Sequence, residues 1–114
     1  MNKRTVGSKT EARASEYLIT KGLRILVKNY RCRLGEIDLI AAEPDGTVVF
    51  AEVKYRRTNA SGYPEEAVDF RKQESIRRAA LWYLSEQHMS PDSAMRFDVI
   101  AIDSTEIRWH RNTF

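Results

Sequence analysis

Hydrophobic positions recur along this chain of 114 residues with two different periods. Residues 7–22 and 69–87 place apolar side chains three and four positions apart, which predicts two helices. The second helical pattern begins as early as residue 64 and restarts at Asp69, a candidate N-cap. Period-two alternation or short apolar runs predict strands elsewhere. These strand segments are residues 23–31, 35–42, 47–56, 95–102 and 106–110.

Three consecutive strands before the second helix predict an antiparallel meander, and neither a linker nor an internal repeat divides the chain. The expected order is therefore helix, three-strand meander, helix, strand and short strand. This order predicts an α/β domain of three layers that spans residues 1–114.

The sharpest pattern lies in residues 35–56, GEIDLIAAEPDGTVVFAEVKYR, which predict two strands joined by a tight turn. Pro44 fixes its own φ, Asp45 can accept a hydrogen bond from the backbone that follows it, and Gly46 can adopt a left-handed conformation. If residues 43 and 47 close the turn, the register of the whole hairpin is set.

That register places two carboxylates opposite each other. Asp38 is expected to face Glu52, and Glu36 to face Lys54, on the side of the sheet that is apolar near the turn. The other side is apolar throughout, with Ile37, Leu39, Ala41, Val49, Ala51 and Val53. Because facing like charges destabilise a sheet, we expect a compensating cation. Mg²⁺ or Mn²⁺ is the simplest candidate, since both prefer carboxylate oxygens.

The first helix carries an acid with two interpretations. Ser8 is a candidate N-cap, and Glu11, three residues later, is a candidate partner in a capping box. Glu11 also lies one helical repeat from the apolar stripe of this helix, so its carboxylate could instead point over the sheet.

The charge balance is mildly basic, with 19 Lys and Arg against 16 Asp and Glu. This permits nucleic-acid binding without requiring it. The basic residues nearest in sequence to the acids of the hairpin are Arg31, Arg33, Lys54, Arg56, Arg57, Arg71 and Lys72. Carboxylates ringed by cations suit a site that cleaves phosphodiesters, because the cations hold the polyanion while the carboxylates hold a metal. Solvated surface charge is the competing interpretation of each basic residue.

Composition excludes several other classes of protein. The single cysteine, Cys32, cannot form an internal disulfide, and the two histidines, His88 and His110, lack neighbours at the spacing of zinc ligands. No apolar run approaches the roughly 18 residues of a membrane span. A cytoplasmic protein that does not insert into membranes is expected.

The same residues carry a family resemblance. An Asp on one strand followed by Glu-x-Lys on the next resembles the core of the PD-(D/E)xK nuclease superfamily, which includes restriction-endonuclease-like and Holliday-junction-resolvase-like proteins. The blocks NYR, GEIDLIA, FAEVKYR and RFDVI, in this order and followed by Phe114, resemble the YraN-like family of small bacterial proteins. This resemblance covers nearly the whole chain.

The resemblance implies a restriction-endonuclease-like fold and a metal-dependent nuclease that acts on DNA, including branched or damaged DNA. Asp38 and Glu52 would hold Mg²⁺ or Mn²⁺ together with a main-chain carbonyl near Val53. Lys54 would orient the attacking water and stabilise the transition state. Glu11 would add a ligand through water.

Further roles are expected around this centre. Glu36 is a candidate for orienting Lys54, and Lys72 is expected to reach the cleft from the second helix. The nucleic-acid-binding set comprises Arg31, Arg33, Arg56, Arg57 and Lys72. By analogy with small proteins of this fold, two copies are expected to pair as a homodimer.

Two other function classes compete with the nuclease. The first is a non-catalytic accessory protein that binds nucleic acid and keeps the nuclease-like fold. Intact Asp38, Glu52 and Lys54 argue against it, because a binding protein has no need of acids that repel phosphate. The second is a structural module whose charged cleft binds a protein.

Overall fold

A five-stranded sheet lies between two helices in the computed structural model, which describes residues 3–56 and 64–114 and, within the first helix, side chains from residue 9 onward. The sheet order follows the chain, β1-β2-β3-β4-β5. The elements are α1 (Lys3–Thr20), β1 (Arg24–Cys32), β2 (Gly35–Ala42), β3 (Val48–Tyr55), α2 (Phe70–Glu86), β4 (Met95–Ile102) and β5 (Ile107–His110).

Strands β3 and β4 are parallel, whereas the other neighbouring strands are antiparallel. A parallel pair needs a long crossover connection, and α2 supplies it. The predicted α/β fold class and its element order, helix, three-strand meander, helix, strand and short strand, are confirmed.

The turn between β2 and β3 forms as its residue types predict. The Glu43 N–H donates to the Thr47 carbonyl at 2.9 Å, so residues 43 and 47 close the turn. The Asp45 carboxylate accepts from the Thr47 N–H at 2.9 Å, and Gly46 has a φ of 94°. Residues 44–46, between the closing residues 43 and 47, thus set the register by local chemistry alone.

The two faces of the sheet bury separate apolar layers. On one face α1 covers a cluster that consists of Ala14, Leu18, Leu23, Leu39, Ala41, Val49, Ala51, Ile100 and Ile102. On the other face α2 covers a cluster that consists of Ile37, Ile40, Val48, Phe50, Ile76, Ala79, Ala80, Tyr83 and Leu84. Phe114 stacks on Phe97 at 5.4 Å between ring centroids and extends this second layer.

Two irregularities lie close together where β1 pairs with β2. Asn29 in β1 has a φ of 54°, which is a left-handed conformation that Asn tolerates better than most residues. Beside it, Ile37 packs in the α2 layer while Leu39 packs in the α1 layer. The prediction that these two residues share a face is therefore wrong, because the chain departs from regular pleating at this point.

The first helix begins earlier than predicted. It starts at Lys3 and ends at Thr20, so the predicted start at residue 7 is wrong. A single glycine costs only about 1 kcal/mol in a helix interior, which does not suffice to end a helix at Gly7. Glu11 consequently lies inside the helix, and its predicted place in an N-terminal capping box is also wrong.

The second helix begins later than its earliest signal. Asp69 is its N-cap, with a side chain that accepts from the Lys72 N–H at 2.9 Å. Pro64 starts only a turn, closed by the Ala67 N–H that donates to the Pro64 carbonyl at 3.1 Å. The prediction of a restart at Asp69 is confirmed. Over the part of the chain that the structure describes, no helix is long and apolar enough to cross a membrane.

Candidate active site

Strands β2 and β3 separate where their sequences become charged. Their antiparallel pairing runs from the turn to Leu39 and Ala51 and ends there. In a continued ladder Val53 would pair with Ile37; instead, the Val53 N–H donates to Asp38 Oδ2 at 2.8 Å. The predicted ladder pair of Asp38 with Glu52 is therefore not formed, because the pairing ends one position earlier, although the charge of Asp38 still acts on Glu52.

The main chain of Val53 faces this gap between the strands. Since the N–H and C=O of one residue in an extended strand point toward the same neighbouring strand, the Val53 carbonyl faces β2 as its N–H does. Asp38 accepts that N–H, but the carbonyl has lost its ladder partner. This carbonyl is the main-chain oxygen for which the family resemblance implies a metal contact.

Asp38 and Glu52 are acids with unfavourable surroundings. Burial raises the pKa of Asp38, although the Val53 N–H and the Lys72 ammonium oppose this rise. Burial also raises the pKa of Glu52, and the negative charge of Asp38 raises it further. Glu52 is only 9% exposed. The pair therefore carries charge that the fold itself disfavours.

Lys72 supplies positive charge beside the acids. Its Nζ lies 3.1 Å from Glu52 Oε1, so the predicted reach of this side chain from α2 to the cleft is observed. Burial disfavours its ammonium form, but Glu52, Asp38 and Glu36 outweigh this effect and raise the pKa of Lys72.

Gly35 fixes the start of β2 against α2 and so sets the distance between them. A Cβ on Gly35 would lie 2.2 Å from Ser75 Oγ and 2.8 Å from the Ser75 carbonyl oxygen. Ser75 lies three residues after Lys72 in the same helix, and its hydroxyl donates to the Leu34 carbonyl at 3.3 Å. Only glycine allows this close approach, which helps to place Lys72 near the acids.

Lys54 lies two residues after Glu52 and points to the same side of β3. Its Nζ donates to the carbonyl of Ala67, in the segment that leads to α2. Burial and the positive charge of Arg56 lower the pKa of Lys54, against the attraction of Glu52.

Glu52, Lys54 and Lys72 line one cleft of about 470 Å³ between β3 and residues 64–72, whereas Asp38 lies behind Glu52 and is not part of its lining. Its charged lining consists of Glu52, Lys54, Arg56, Asp69 and Lys72, and the rest is Pro64, Ala67 and Val68. A larger cavity, of about 510 Å³, lies at the turn end of the hairpin, lined in part by Pro44 and Met89. We take the smaller cleft as the candidate site because it is lined by Glu52 and Lys54.

Several predicted residues lie outside this cleft. Glu36 does not meet Lys54 as predicted; it pairs across the strands with Arg31, with its carboxylate 4.0 Å from Arg31 Nε, and both side chains are largely exposed. Arg33 is exposed in the turn between β1 and β2. Arg57 lies outside the described residues.

Glu11 is partly buried on α1, the helix that covers the opposite face of the sheet from α2. Within residues whose side chains the structure describes, no group of three or more His, Cys, Asp or Glu side chains is arranged to hold a metal ion. Glu11 is thus not gathered with Asp38 and Glu52, and its ligand role stays a prediction.

The structure also brings together a cluster that sequence reasoning missed. Glu65 accepts from Arg108 Nε at 2.8 and 2.9 Å, and its Oε2 lies 2.5 Å from His110 Nε2. Arg108 and His110 alternate along β5, which is the one local signal that both point to the same side. Their partner is 43 and 45 residues away in sequence, so no local pattern could reveal it.

Asp98 on β4 has a structural environment. It is completely buried and accepts from Arg96 Nε at 3.0 Å, Trp109 Nε1 at 2.9 Å and the Asn112 N–H at 2.8 Å. These bonds join the start of β4 to β5 and to the residues that follow it.

Comparison with known proteins gives a consistent family match. The model of the uncharacterised protein family UPF0102 matches residues 10–102. A UPF0102 protein of Lachnoclostridium phytofermentans is 45% identical over 114 residues, covering 100% of this chain and 96% of that protein. One of Alkaliphilus oremlandii is 47% identical, covering 98% and 95%. One of Photobacterium profundum is 42% identical, covering 99% and 92%.

Among solved structures, the chain resembles Pyrococcus furiosus SfsA in complex with Ca²⁺, with a TM-score of 0.42 and 14% sequence identity. The match covers 91% of this chain, which spans 63% of the length of that chain. This likeness concerns the fold alone.

Proposed function

This chain belongs to the uncharacterised protein family UPF0102, and we propose that it is a metal-dependent nuclease that cleaves DNA phosphodiester bonds. One observation carries the proposal: β2 and β3 separate at Asp38, and the partly desolvated Glu52, next to the charge of Asp38, lies beside Lys54 in a cleft. Buried acids with raised pKa values, next to a lysine in a cleft, are typical of a reactive site.

The donor set fits a small divalent cation. Asp38 and Glu52 supply hard oxygen donors, and the Val53 carbonyl faces the same gap. Mg²⁺ is commonly held by only one or two carboxylates, together with waters and substrate phosphates, so a third acid is not needed. Bound Mg²⁺ or Mn²⁺ would supply Lewis acidity and lower the pKa of a water.

The chain's own cations have separate proposed roles. Lys54, held by the Ala67 carbonyl, would place positive charge beside the scissile phosphate and stabilise the negative charge that develops there. Arg56 and Lys72 line the same cleft and would hold neighbouring phosphates. Arg31 and Arg33 are exposed near the turn between β1 and β2. They would extend the phosphate contacts along the bound DNA strand.

DNA is accordingly the proposed partner, in the cytoplasm. The pairing of two copies, which would let the protein reach both strands of a duplex or branched DNA, belongs to the same proposal.

A non-catalytic nucleic-acid-binding protein is the second candidate, and the ion pair between Lys72 and Glu52 favours it. At 3.1 Å, Lys72 already neutralises part of the acidic charge, so the cleft could accept phosphate without a metal. Binding with retained salt dependence and no cleavage would identify this function.

Incubation with a matched panel of single-stranded, duplex, nicked and four-way-junction DNA separates the two candidates. We expect cleavage of at least one substrate with Mn²⁺ or Mg²⁺, none with EDTA, and a rate at least about 10²-fold lower in Glu52→Gln. A Glu16→Gln variant is the control, because Glu16 is an exposed acid on α1. Cleavage in EDTA, or at the unmodified rate in Glu52→Gln, would refute the proposed site.

A further inference from the structure

Two rows of aligned residues run from the cleft to the edge of the sheet. In each row a residue of β3 is the partner of one on β4, which in turn pairs with one on β5. Aligned partners point to the same side of a sheet, so the β5 residues share the face of the cleft, roughly 10 Å from β3 at about 4.8 Å per strand. The rows are Glu52–Val99–His110 and Lys54–Ala101–Arg108.

Residues 64–69 form one side of the cleft and are called its wall. Glu65 in this wall contacts the β5 residues at the ends of the two rows. Its carboxylate accepts from Arg108 Nε, and since a carboxylate can only accept, His110 Nε2 must donate to it. Glu65 exposes only 17% of its side chain, and Arg108 27%, so these bonds are partly shielded from water. Charge-assisted bonds of this kind are among the stronger ones in proteins.

The anchor of Glu65 is itself held in place. Arg108 Nη1 donates to Asp103 Oδ2 at 3.0 Å. Asp103 lies in the turn between β4 and β5, where its Oδ1 accepts from the Thr105 and Glu106 N–H groups. Its main-chain carbonyl accepts from Arg13 on α1 at 2.8 Å. Arg108 is thus bonded to the turn between β4 and β5 independently of its contact with Glu65.

Another contact of the wall is made with Lys54. Residues 64–69 run from the turn that carries Glu65 to the N-cap of α2. The Ala67 carbonyl in this segment accepts from Lys54 Nζ, and the Val68 carbonyl accepts from Gln73 Nε2 at 2.8 Å. The segment is therefore pinned by β5 at one end and by α2 at the other, with the contact to Lys54 between them.

From this arrangement we propose that Glu65, Arg108 and His110 form a latch that holds residues 64–69 against the sheet and so positions Lys54 through the Ala67 carbonyl. The latch residues are positioning residues and make no contact with the scissile phosphate. The proposal rests on the proposed function for the role of Lys54, but the latch itself can be tested without it.

Hydrogen exchange and lysine acylation of the metal-free protein test the latch directly. In Glu65→Ala we expect amide exchange in residues 65–69 to rise about tenfold or more, while β3 amides are unchanged. The rate at which a small amine-reactive acylating reagent modifies Lys54, read by mass spectrometry, should also rise in Glu65→Ala. Glu106→Ala is the matched control, since Glu106 lies 3.6 Å from Arg108 but does not touch the wall. Glu65→Gln, which keeps an acceptor oxygen, should restore part of the protection.

Cleavage kinetics then test positioning. If Lys54 depends on the latch, Glu65→Ala should lower kcat about tenfold to a hundredfold and leave KM nearly unchanged. Unchanged exchange at residues 65–69, or equal effects in Glu106→Ala, would overturn the latch. Faster cleavage with tighter DNA binding would also overturn it, because Glu65 would then be covering an anion site. If the unmodified protein cleaves nothing, the proposed function fails, and exchange and acylation still decide on the latch.

Discussion

Asp98 and the pair of Asp38 and Glu52 lie in the same sheet, on opposite faces, and the protein treats their charge differently. Asp98 is fully buried and accepts bonds from Arg96, Trp109 and the Asn112 main chain. Asp38 accepts one main-chain N–H, Glu52 has the Lys72 ammonium, and burial raises the pKa of both.

This difference separates a structural acid from a candidate ligand. A buried carboxylate with a full set of donors has no need of a further partner, and its removal leaves those donors unsatisfied. A carboxylate pair that the fold leaves with raised pKa values gains from a cation. The surroundings of each acid, rather than its burial alone, therefore indicate its role.

The largest expected effect is the loss of cleavage in variants of Lys54 and Glu52. Lys54→Ala and Glu52→Gln should each lower the cleavage rate by about 10²–10³-fold, because each removes charge placed for the transition state or the metal. Lys28→Ala, at an exposed position on β1, is the control for loss of a lysine. Single-turnover rates with excess enzyme measure this loss; wild-type rates in either cleft variant would move catalysis elsewhere.

Removal of Asp98 should produce the largest loss of stability. Asp98→Ala leaves Arg96 Nε, Trp109 Nε1 and the Asn112 N–H without their acceptor, although Arg96 keeps its ion pair with Glu43. We therefore expect the free energy of unfolding to fall by about 3 kcal/mol. Urea unfolding followed by tryptophan fluorescence measures it. A loss below that of an ordinary surface substitution would mean that Asp98 is not the structural acid of this comparison.

The cleft acids should respond in the opposite direction. In the metal-free protein, Asp38→Asn or Glu52→Gln should raise the free energy of unfolding by about 0.5–2 kcal/mol near neutral pH. Because folding raises these pKa values, the folded state binds more protons, and the acids reduce stability as pH rises above the unfolded carboxylate pKa, near 4.

Unfolding curves measured across a pH series test whether Asp38→Asn and Glu52→Gln raise or lower the free energy of unfolding. The advantage of either variant should vanish below the unfolded carboxylate pKa and grow as pH rises through the raised folded pKa values. Loss of the Lys72 pair would offset part of the gain in Glu52→Gln. Destabilisation by both substitutions at neutral pH would show that these acids are structural, as Asp98 is.

The smallest expected effect concerns phosphate contact at the cleft. Arg56→Gln should weaken DNA binding similarly for all sequences and reduce the slope of log K against log salt by about 1. Arg111→Gln is a suitable control, since its guanidinium lies over Trp109. Fluorescence anisotropy at several salt concentrations, in EDTA, measures the slope; an unchanged slope would exclude a phosphate contact by Arg56.

Local chemistry explains what the sequence could predict. Pro44, Asp45 and Gly46 determine the hairpin turn within a few residues, so the register near the turn follows from residue types alone. That register also brings Asp38, Glu52 and Lys54 to one end of the hairpin. The separation of the strands was not predictable, because there the Asp38 side chain, rather than a main-chain carbonyl of β2, accepts from the Val53 N–H.

Long-range contacts explain what the sequence could not predict. Glu65 meets Arg108 and His110 only after α2 and β4 have completed the sheet, and no periodic pattern links residues so far apart. Glu36 was assigned to Lys54 by extending an ideal ladder, whereas β2 pairs with β1 at that position and Glu36 meets Arg31.

Binding of Mn²⁺ to the folded protein tests the central claim most directly, because it needs neither substrate nor activity. Melting temperatures should be measured against Mn²⁺ concentration for the unmodified protein, Asp38→Asn, Glu52→Gln and the exposed-acid control Glu16→Gln. At about 100 times the dissociation constant the ion should add about 2.7 kcal/mol of stability. This corresponds to roughly 10 °C for a domain of this size. We predict this rise in the unmodified protein and the control, and its loss in Asp38→Asn and Glu52→Gln. An equal rise in all four proteins, or in none, would contradict a metal site at Asp38 and Glu52.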